Sequence, residues 1–80
     1  MNDGLADVDR RVVGTKQVLR ALDEGRVAHA YVAQDADLLL TKRVVDRYDM
    51  EIPCTQVESM EKLGRACGID VKAAAAGLLK

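Results

Sequence analysis

The sequence contains no tryptophan and no phenylalanine, and it has only two tyrosines among its 80 residues. Proteins that bind single-stranded nucleic acid without sequence preference stack the bases on aromatic side chains. The scarcity of aromatic residues therefore argues against that mode of binding. An RNA ligand would instead be recognised by its folded shape and by a few contacts to base edges.

Cysteine and histidine are also scarce. The chain has two cysteines, Cys54 and Cys67, and one histidine, His29. Their spacing matches no zinc or redox motif, and the potential ligands are too few for a metal site. We expect two buried, reduced thiols, because free cysteine is among the most buried residue types. We expect neither a metal nor a cofactor.

Combinations of residues that could support catalysis are also scarce. Gly14 is not followed by the glycines, or the Gly-Lys-Ser/Thr, of a phosphate-binding loop. His29 lies inside a strand pattern with no acid or nucleophile at a suitable spacing, and we expect it to be solvated or on an edge strand. Asp35 and Asp37 form a candidate carboxylate pair, but Asp37 also suits a helix N-cap. The sequence favours a non-catalytic protein, and an enzyme is the weakest hypothesis.

No apolar stretch approaches the ~18 residues that span a bilayer. Residues 1–4 show neither the basic region nor the apolar region of a signal peptide. The composition, 49% hydrophobic and 31% charged, is ordinary for a soluble globular protein. We therefore expect one domain over 1–80, cytoplasmic, monomeric and without membrane contact.

Strand and helix patterns alternate along the chain, and turn residues separate them. Strands are predicted over 11–13, 26–33 and 54–57, with helices over 5–8 and after the N-caps Thr15, Asp37 and Ser59. The helix after Asp37 repeats apolar residues at Leu40, Val44 and Tyr48, and Gly25 and Gly68 end the helices that begin at Thr15 and Ser59.

The alanine-rich tail over 73–79 has two competing interpretations. Alanine favours a helix by propensity. The preceding alternation favours a last strand, because small residues let helices pack closely on a sheet. The whole pattern predicts an α/β protein with a sheet covered on both faces.

Positive charge is concentrated in one segment although the net charge is −1. Residues 10–22 carry Arg10, Arg11, Lys16 and Arg20 and no acid, whereas the rest of the chain has a net charge of −5. Helix starts usually attract acids, because their unpaired N–H groups carry partial positive charge. Lys16 and Arg20 here share a helix face, which indicates an anion site. A solvated helix face is the alternative.

Four segments resemble the kink-turn RNA-binding family, which includes the archaeal large-subunit ribosomal protein "seven-Ae" and the eukaryotic "thirty-e". They are GTKQVLRAL (14–22), VAQDAD (32–37), VESMEKLGRACGIDV (57–71) and the alanine run that follows. The resemblance covers about Arg10 to Leu79 and is closest to small bacterial members. It implies a three-layer α/β/α sandwich around a four-stranded mixed sheet. It also implies binding to kink-turns, which are RNA helices sharply bent at a bulge flanked by sheared G·A pairs, and it makes the ribosome a candidate partner.

The same resemblance implies an RNA-binding site. The helix from Thr15 would enter the groove at the G·A pairs, with close backbone approach at Gly14 and Thr15. The side chains expected to face bases and phosphates are Lys16, Gln17 and Arg20, and Asp37 would accept hydrogen bonds from a guanine edge. Ile69, Asp70 and Val71 would cover the bulged nucleotide, with Lys72 adding positive charge.

The sequence differs from the usual family pattern at one pair of residues that bears on RNA specificity. Archaeal and eukaryotic members usually have Asn-Glu where this chain has Lys16 and Gln17, a form similar to the bacterial variant. The exchange favours phosphate attraction. The alternative function is a protein-interaction domain of the same fold with weak or lost RNA binding, which the acidic remainder of the chain motivates.

Overall fold

The computed structural model describes residues 4–37, 39, 42 and 52–80. Within these ranges the elements are a 3-10 helix (Val8–Arg10), β1 (Arg11–Val13), α1 (Thr15–Asp23), β2 (Val27–Ala33), β3 (Cys54–Val57), α2 (Met60–Ala66) and β4 (Ala75–Leu79). The body of the helix predicted after Asp37, with Leu40, Val44 and Tyr48, lies outside the described residues. None of the helices described is long and apolar enough to cross a membrane.

The strands of this part of the chain form one mixed sheet in the order β1-β4-β2-β3. Because β4 is antiparallel to both β1 and β2, and β2 is parallel to β3, the first three strands share one direction. The residues after these strands and the residues before β4 therefore meet at one end of the sheet. We call it the Gly14 end; it carries Gly14, 34–37, 58–59 and 73–74. The opposite end, which carries Gly25, is the Gly25 end.

Among the described residues, one helix packs on each face of the sheet. On the first face, Val18 and Ala21 of α1 belong to a buried cluster with Val27, Ala30, Val32 and Ala75. On the second face, Leu63 of α2 and Cys67 belong to a buried cluster with Leu5, Tyr31, Ala33, Ala36, Val57, Ala73 and Ala76. Successive side chains of a strand point to opposite faces, so a strand covered on both sides is apolar almost throughout. The structure confirms the predicted three-layer α/β/α sandwich with a four-stranded mixed sheet.

The alanine-rich tail forms the inner strand β4, as the alternation predicted. Its Ala76 pairs with Val13 of β1 on one side and with Tyr31 of β2 on the other. Ala76 and Gly77 are buried, and a Cβ on Gly77 would lie 3.3 Å from Cγ2 of Val12. Pairing on both sides and burial on both faces outweigh a helix preference of less than ~1 kcal/mol per residue.

Two predictions about helix starts are wrong. The segment 5–7 is not helical, and a 3-10 helix begins at Val8, where the Asp7 carboxylate accepts from the Asp9 N–H at 3.1 Å. The N-cap of α1 is Gly14, and Thr15 is the first helical residue. Gly14 occupies this position because the turn out of β1 requires a φ of +102°, which other residues rarely adopt.

Candidate nucleic-acid interface

The first turn of α1 begins without a side-chain cap from any of the described residues. The Gly14 N–H donates to the Ala75 carbonyl at 2.8 Å, and the Gly14 carbonyl accepts from the Val18 N–H at 3.0 Å. Gly14 is thereby fixed between β4 and the helix. The N–H groups that follow it in the first turn have no acceptor within the helix. This start presents hydrogen-bond donors and partial positive charge, which are features of an anion site.

The side chain of Gln17 folds back over Gly14. A Cβ on Gly14 would lie 2.6 Å from Oε1 of Gln17 and 3.6 Å from its Cδ. The backbone conformation requires glycine at position 14, whereas the flexible Gln17 amide can rotate away from a Cβ. Whatever approaches the start of α1 meets this amide, which offers both a donor and an acceptor.

Three of the predicted binding side chains share the outer surface of α1. Lys16, Gln17 and Arg20 are exposed, whereas Val18 and Ala21 are buried against the sheet. Lys16 and Arg20 are four residues apart, so their side chains are neighbours on the helix surface. The structure thus brings two cations and one amide together beside the uncapped helix start.

The positive segment over 10–22 is not one patch in the structure. Arg11 is half-buried, and its guanidinium donates to the Leu5 carbonyl at 3.1 Å and to the Cys67 carbonyl at 3.3 Å. Arg10 lies at the Gly25 end, where it lines a surface cavity of about 290 Å³ together with Asp9, Gly25, Arg26, Leu79 and Lys80. Of the four cations in the segment, Lys16 and Arg20 are therefore the two that α1 carries.

Replacing Arg11 with methionine is expected to lower the free energy of unfolding by about 1–3 kcal/mol, because two carbonyls lose a charged donor. Arg11 joins the segment before β1 to the end of α2, and a lysine lacks the forked geometry for both bonds. Urea denaturation measures the change. Arg10→Met, at the exposed neighbouring position, serves as the control. Equal stabilities for the two variants would contradict this role of Arg11.

The turn after β2 carries the two carboxylates that formed the candidate catalytic pair. Oδ1 of Asp35 accepts from the Met60 N–H at 2.7 Å, and Oδ1 of Asp37 accepts from the Leu39 N–H at 2.8 Å. Each carboxylate thus holds a different backbone segment, which is a structural task and not the arrangement of an acid–base pair. Asp37 is exposed at the Gly14 end, as a residue that meets a guanine edge must be.

The segment over 69–72 returns alongside α2 toward the Gly14 end. The Ile69 N–H donates to the Gly64 carbonyl at 3.1 Å, and the Ala73 N–H donates to the Met60 carbonyl at 3.0 Å. Val71 is 69% exposed. With Glu61 and Arg65 of α2, the four residues of this segment line a surface cavity of about 410 Å³. The lining of this cavity thus contains both apolar and charged side chains.

Backbone hydrogen bonds assemble most of the predicted site at one end of the sheet. Besides the bond from Gly14 to Ala75, the Ala33 N–H donates to the Ala74 carbonyl at 2.9 Å. The start of α1, the turn at Asp37 and the segment that ends at Lys72 therefore adjoin one another. Ile69 is farther away, because it bonds to Gly64 in the middle of α2.

Gly64 was missed by the sequence analysis as a residue of this region. It is buried in α2, and a Cβ built on it would overlap the Val71 carbonyl oxygen. The available signal was an isolated glycine inside a helical pattern, which usually has a packing reason. Its missing side chain lets the segment over 69–72 lie against the helix.

The remaining polar candidates have structural surroundings. His29 is half-buried on β2, an inner strand of the sheet, so the edge-strand alternative is wrong, while the side chain keeps part of its surface in solvent. Its ring stacks on Tyr31 with centroids 4.4 Å apart, and its Nε2 lies 2.6 Å from Oγ1 of Thr55. Within the described ranges, no group of three or more His, Cys, Asp or Glu side chains could hold a metal ion.

Neither cysteine has the environment of a reactive thiol. Both are free, but only Cys67 is buried as predicted, whereas Cys54 is partly exposed. Burial raises the pKa of the Cys67 thiol, and the nearby Arg11 guanidinium offsets only part of this effect. Burial also raises the pKa of Cys54. Since the thiolate is the nucleophile, both shifts argue against catalysis by these residues.

Known proteins resemble the chain over almost its full length. The "RNA-binding protein" of Geobacillus thermodenitrificans is 49% identical over 70 residues, covering 86% of this chain and 85% of that protein. The "RNA-binding protein YbxF" of Geobacillus stearothermophilus is 47% identical over 70 residues, with coverage of 86% and 85%.

Solved structures share the fold. A protein with unknown function from Bacillus halodurans matches with a TM-score of 0.82 and 26% identity, covering 95% of this chain and 77% of that one. The Giardia lamblia 15.5kD RNA binding protein matches with a TM-score of 0.76 and 26% identity, covering 95% and 65%. A family model described as the ribosomal protein L7Ae/L30e/S12e/Gadd45 family matches residues 4–80. With the family model matching along nearly the whole chain and bacterial relatives almost half identical to it, the chain belongs to the ribosomal protein L7Ae/L30e/S12e/Gadd45 family.

Proposed function

We propose that this protein is a non-catalytic RNA-binding domain that recognises kink-turns in structured RNA. The observation that carries the proposal is the start of α1, where uncapped backbone donors lie beside the exposed Lys16, Gln17 and Arg20. Such a start attracts a phosphate backbone, and the Gln17 amide can read a base edge. The bacterial relatives named RNA-binding proteins support this assignment.

The geometry suits a bent RNA better than a straight duplex. Contacts would come from two separate parts of the site, namely the start of α1 and the segment over 69–72. A kink-turn presents a widened groove at its G·A pairs and a bulged nucleotide next to it. In this proposal α1 enters the groove, Asp37 accepts from a guanine, and Ile69, Asp70 and Val71 cover the bulge. The exposed Val71 side chain would bury its apolar surface against that nucleotide.

A titration with two RNAs tests the proposal. One RNA is a kink-turn, and the other has its G·A pairs replaced by Watson–Crick pairs. We expect affinity for the kink-turn to be roughly thirtyfold higher or more, since each altered pair typically costs about 1–3 kcal/mol in specific complexes. Binding should weaken steeply as salt is raised, because phosphate contacts release counterions. Equal affinity for both RNAs would contradict the proposal.

The second candidate function is a protein-interaction domain with weak or lost RNA binding. It is motivated by the net charge of −5 outside residues 10–22, which repels a polyanion. Glu58, just before α2, however pairs with Lys62, and Glu61 pairs with Arg65 on the outer surface of the helix, so these acids are locally compensated. Failure to retain any structured RNA at physiological salt, together with a specific protein partner, would favour this alternative. Sequencing of RNA crosslinked in cells would identify the bound RNA and show whether it is ribosomal.

A further inference from the structure

The backbone of Met60 joins two parts of the Gly14 end that are distant in sequence. Its N–H donates to Oδ1 of Asp35 at 2.7 Å, in the turn after β2. Its carbonyl accepts from the Ala73 N–H at 3.0 Å, just after the segment over 69–72. Met60 of α2 thus bonds both to the turn that carries Asp37 and to the residue after the segment proposed to cover the bulge, in addition to the direct bond from Ala33 to Ala74.

The bond from Asp35 is more than a helix cap. The first turn of α2 already has a local cap, because Oγ of Ser59 accepts from the Lys62 N–H at 3.1 Å. Asp35 comes from 25 residues earlier in the chain. A carboxylate accepting from a backbone N–H at a helix start makes a charge-assisted bond, which is shorter and stronger than a neutral one. The bond therefore fixes the position of one segment relative to another.

We propose that Asp35 is a positioning residue of the RNA-binding end, which acts through Met60 to hold the Asp37 turn at a fixed distance from the segment over 69–72. This inference rests on the proposed function, since it assigns a role within the same site. Holding the Asp37 turn and the segment over 69–72 in their binding positions raises the affinity for RNA. If the protein adopts the binding conformation only part of the time, its apparent affinity falls in proportion to that fraction.

An effect of charge alone would change the RNA affinity in the opposite direction, so the experiment can distinguish the two explanations. Asp35 is an exposed anion beside a surface proposed to bind a polyanion. If its only influence were charge, removing the carboxylate would strengthen RNA binding in both Asp35→Ala and Asp35→Asn. If it acts by positioning, Asp35→Ala weakens binding, whereas Asp35→Asn keeps an acceptor oxygen for Met60 and binds about as well as the wild type.

Ser59→Ala is the matched control. Both Asp35→Ala and Ser59→Ala remove one hydrogen bond to the first turn of α2, and both are expected to lower the melting temperature by a few degrees. Only Asp35→Ala removes a bond between the turn after β2 and α2. A purely structural role predicts the same affinity change for the two variants.

The experiment measures dissociation constants for a kink-turn at a temperature where circular dichroism shows every variant fully folded. We expect Asp35→Ala to bind roughly three- to tenfold more weakly, as for a site competent about 10–30% of the time. Asp35→Asn and Ser59→Ala should stay within about twofold of the wild type. Asp35→Ala binding as tightly as Ser59→Ala, or more tightly than the wild type, overturns the inference.

A second measurement separates this inference from the proposed function. Hydrogen exchange at the Ala73 and Ile69 amides reports how firmly the segment over 69–72 is held. We expect faster exchange in Asp35→Ala than in Ser59→Ala, without any RNA present. If the wild type fails to distinguish the two RNAs but this difference in exchange is found, the proposed function fails and the mechanical role of Asp35 stands. If the exchange rates are equal, the inference fails whatever the wild type binds.

Discussion

Replacing Gly64 with alanine is expected to lower the free energy of unfolding by about 2 kcal/mol, or roughly 8–16 °C in melting temperature. The new Cβ would overlap the Val71 carbonyl oxygen and lie 3.2 Å from the Val71 carbonyl carbon. These are backbone atoms, so no side-chain rotation relieves the clash. Overpacking costs about 1–3 kcal/mol and belongs near the upper limit here, while the better helix propensity of alanine returns at most about 1 kcal/mol.

Gly25→Ala provides the control for this substitution. Gly25 has a φ of +68°, and a Cβ there would meet nothing within 4 Å. That variant therefore measures backbone strain without any steric overlap, expected at about 1 kcal/mol. Thermal denaturation of both variants checks the prediction. A Gly64→Ala protein as stable as the wild type would show that the segment over 69–72 does not pack against α2 as described.

Removing the two cations of α1 is expected to have the largest effect on RNA binding. For the double variant Lys16→Ala, Arg20→Ala we predict a loss of roughly a hundredfold in affinity for structured RNA, with about 1.4 kcal/mol for each charged contact. The slope of log affinity against log salt should fall in magnitude by about 2, since each phosphate contact contributes about one. The affinity must be titrated at several salt concentrations to separate the two quantities.

The matched control removes the same charge from the opposite end of the sheet. Arg10 and Lys80 line the cavity at the Gly25 end, so Arg10→Ala, Lys80→Ala also lowers the net charge by two. If binding depends on the local arrangement at α1, this control changes affinity only slightly and leaves the salt slope nearly unchanged. An equal loss in both double variants would mean that overall charge, and not the start of α1, controls binding.

The elements of the fold were predictable where local chemistry decides them. The strand over 54–57 follows Pro53, and α2 begins after Ser59, as predicted. Gly25 and Gly68 both have positive φ and follow the ends of α1 and α2. Such turns and caps depend on a few neighbouring residues, so they can be recognised without knowledge of the rest of the chain.

The positive segment shows where prediction from a linear pattern fails. Arg10, Arg11, Lys16 and Arg20 lie close together in sequence and suggested one patch. Because β1 runs from the Gly25 end to the Gly14 end, Arg10 before it and Lys16 after it lie at opposite ends of the sheet. Arg11 meanwhile turns to the carbonyls of Leu5 and Cys67. The path of β1 across the sheet and hydrogen bonding to distant residues are not encoded in the spacing of charges.

The periodicity and turn residues of this chain specify the alternation of strands and helices, and the motifs over 14–22 and 57–71 identify the family. The assembly of the site depends on contacts between residues far apart in sequence. Gln17 lies over Gly14 within one turn, but Asp35 meets Met60 from 25 residues earlier in the chain, and Gly64 meets Val71 across the turn that follows α2. Local preferences act between neighbours, whereas the spacing of the two proposed RNA contacts is set by backbone hydrogen bonds and close packing across the fold.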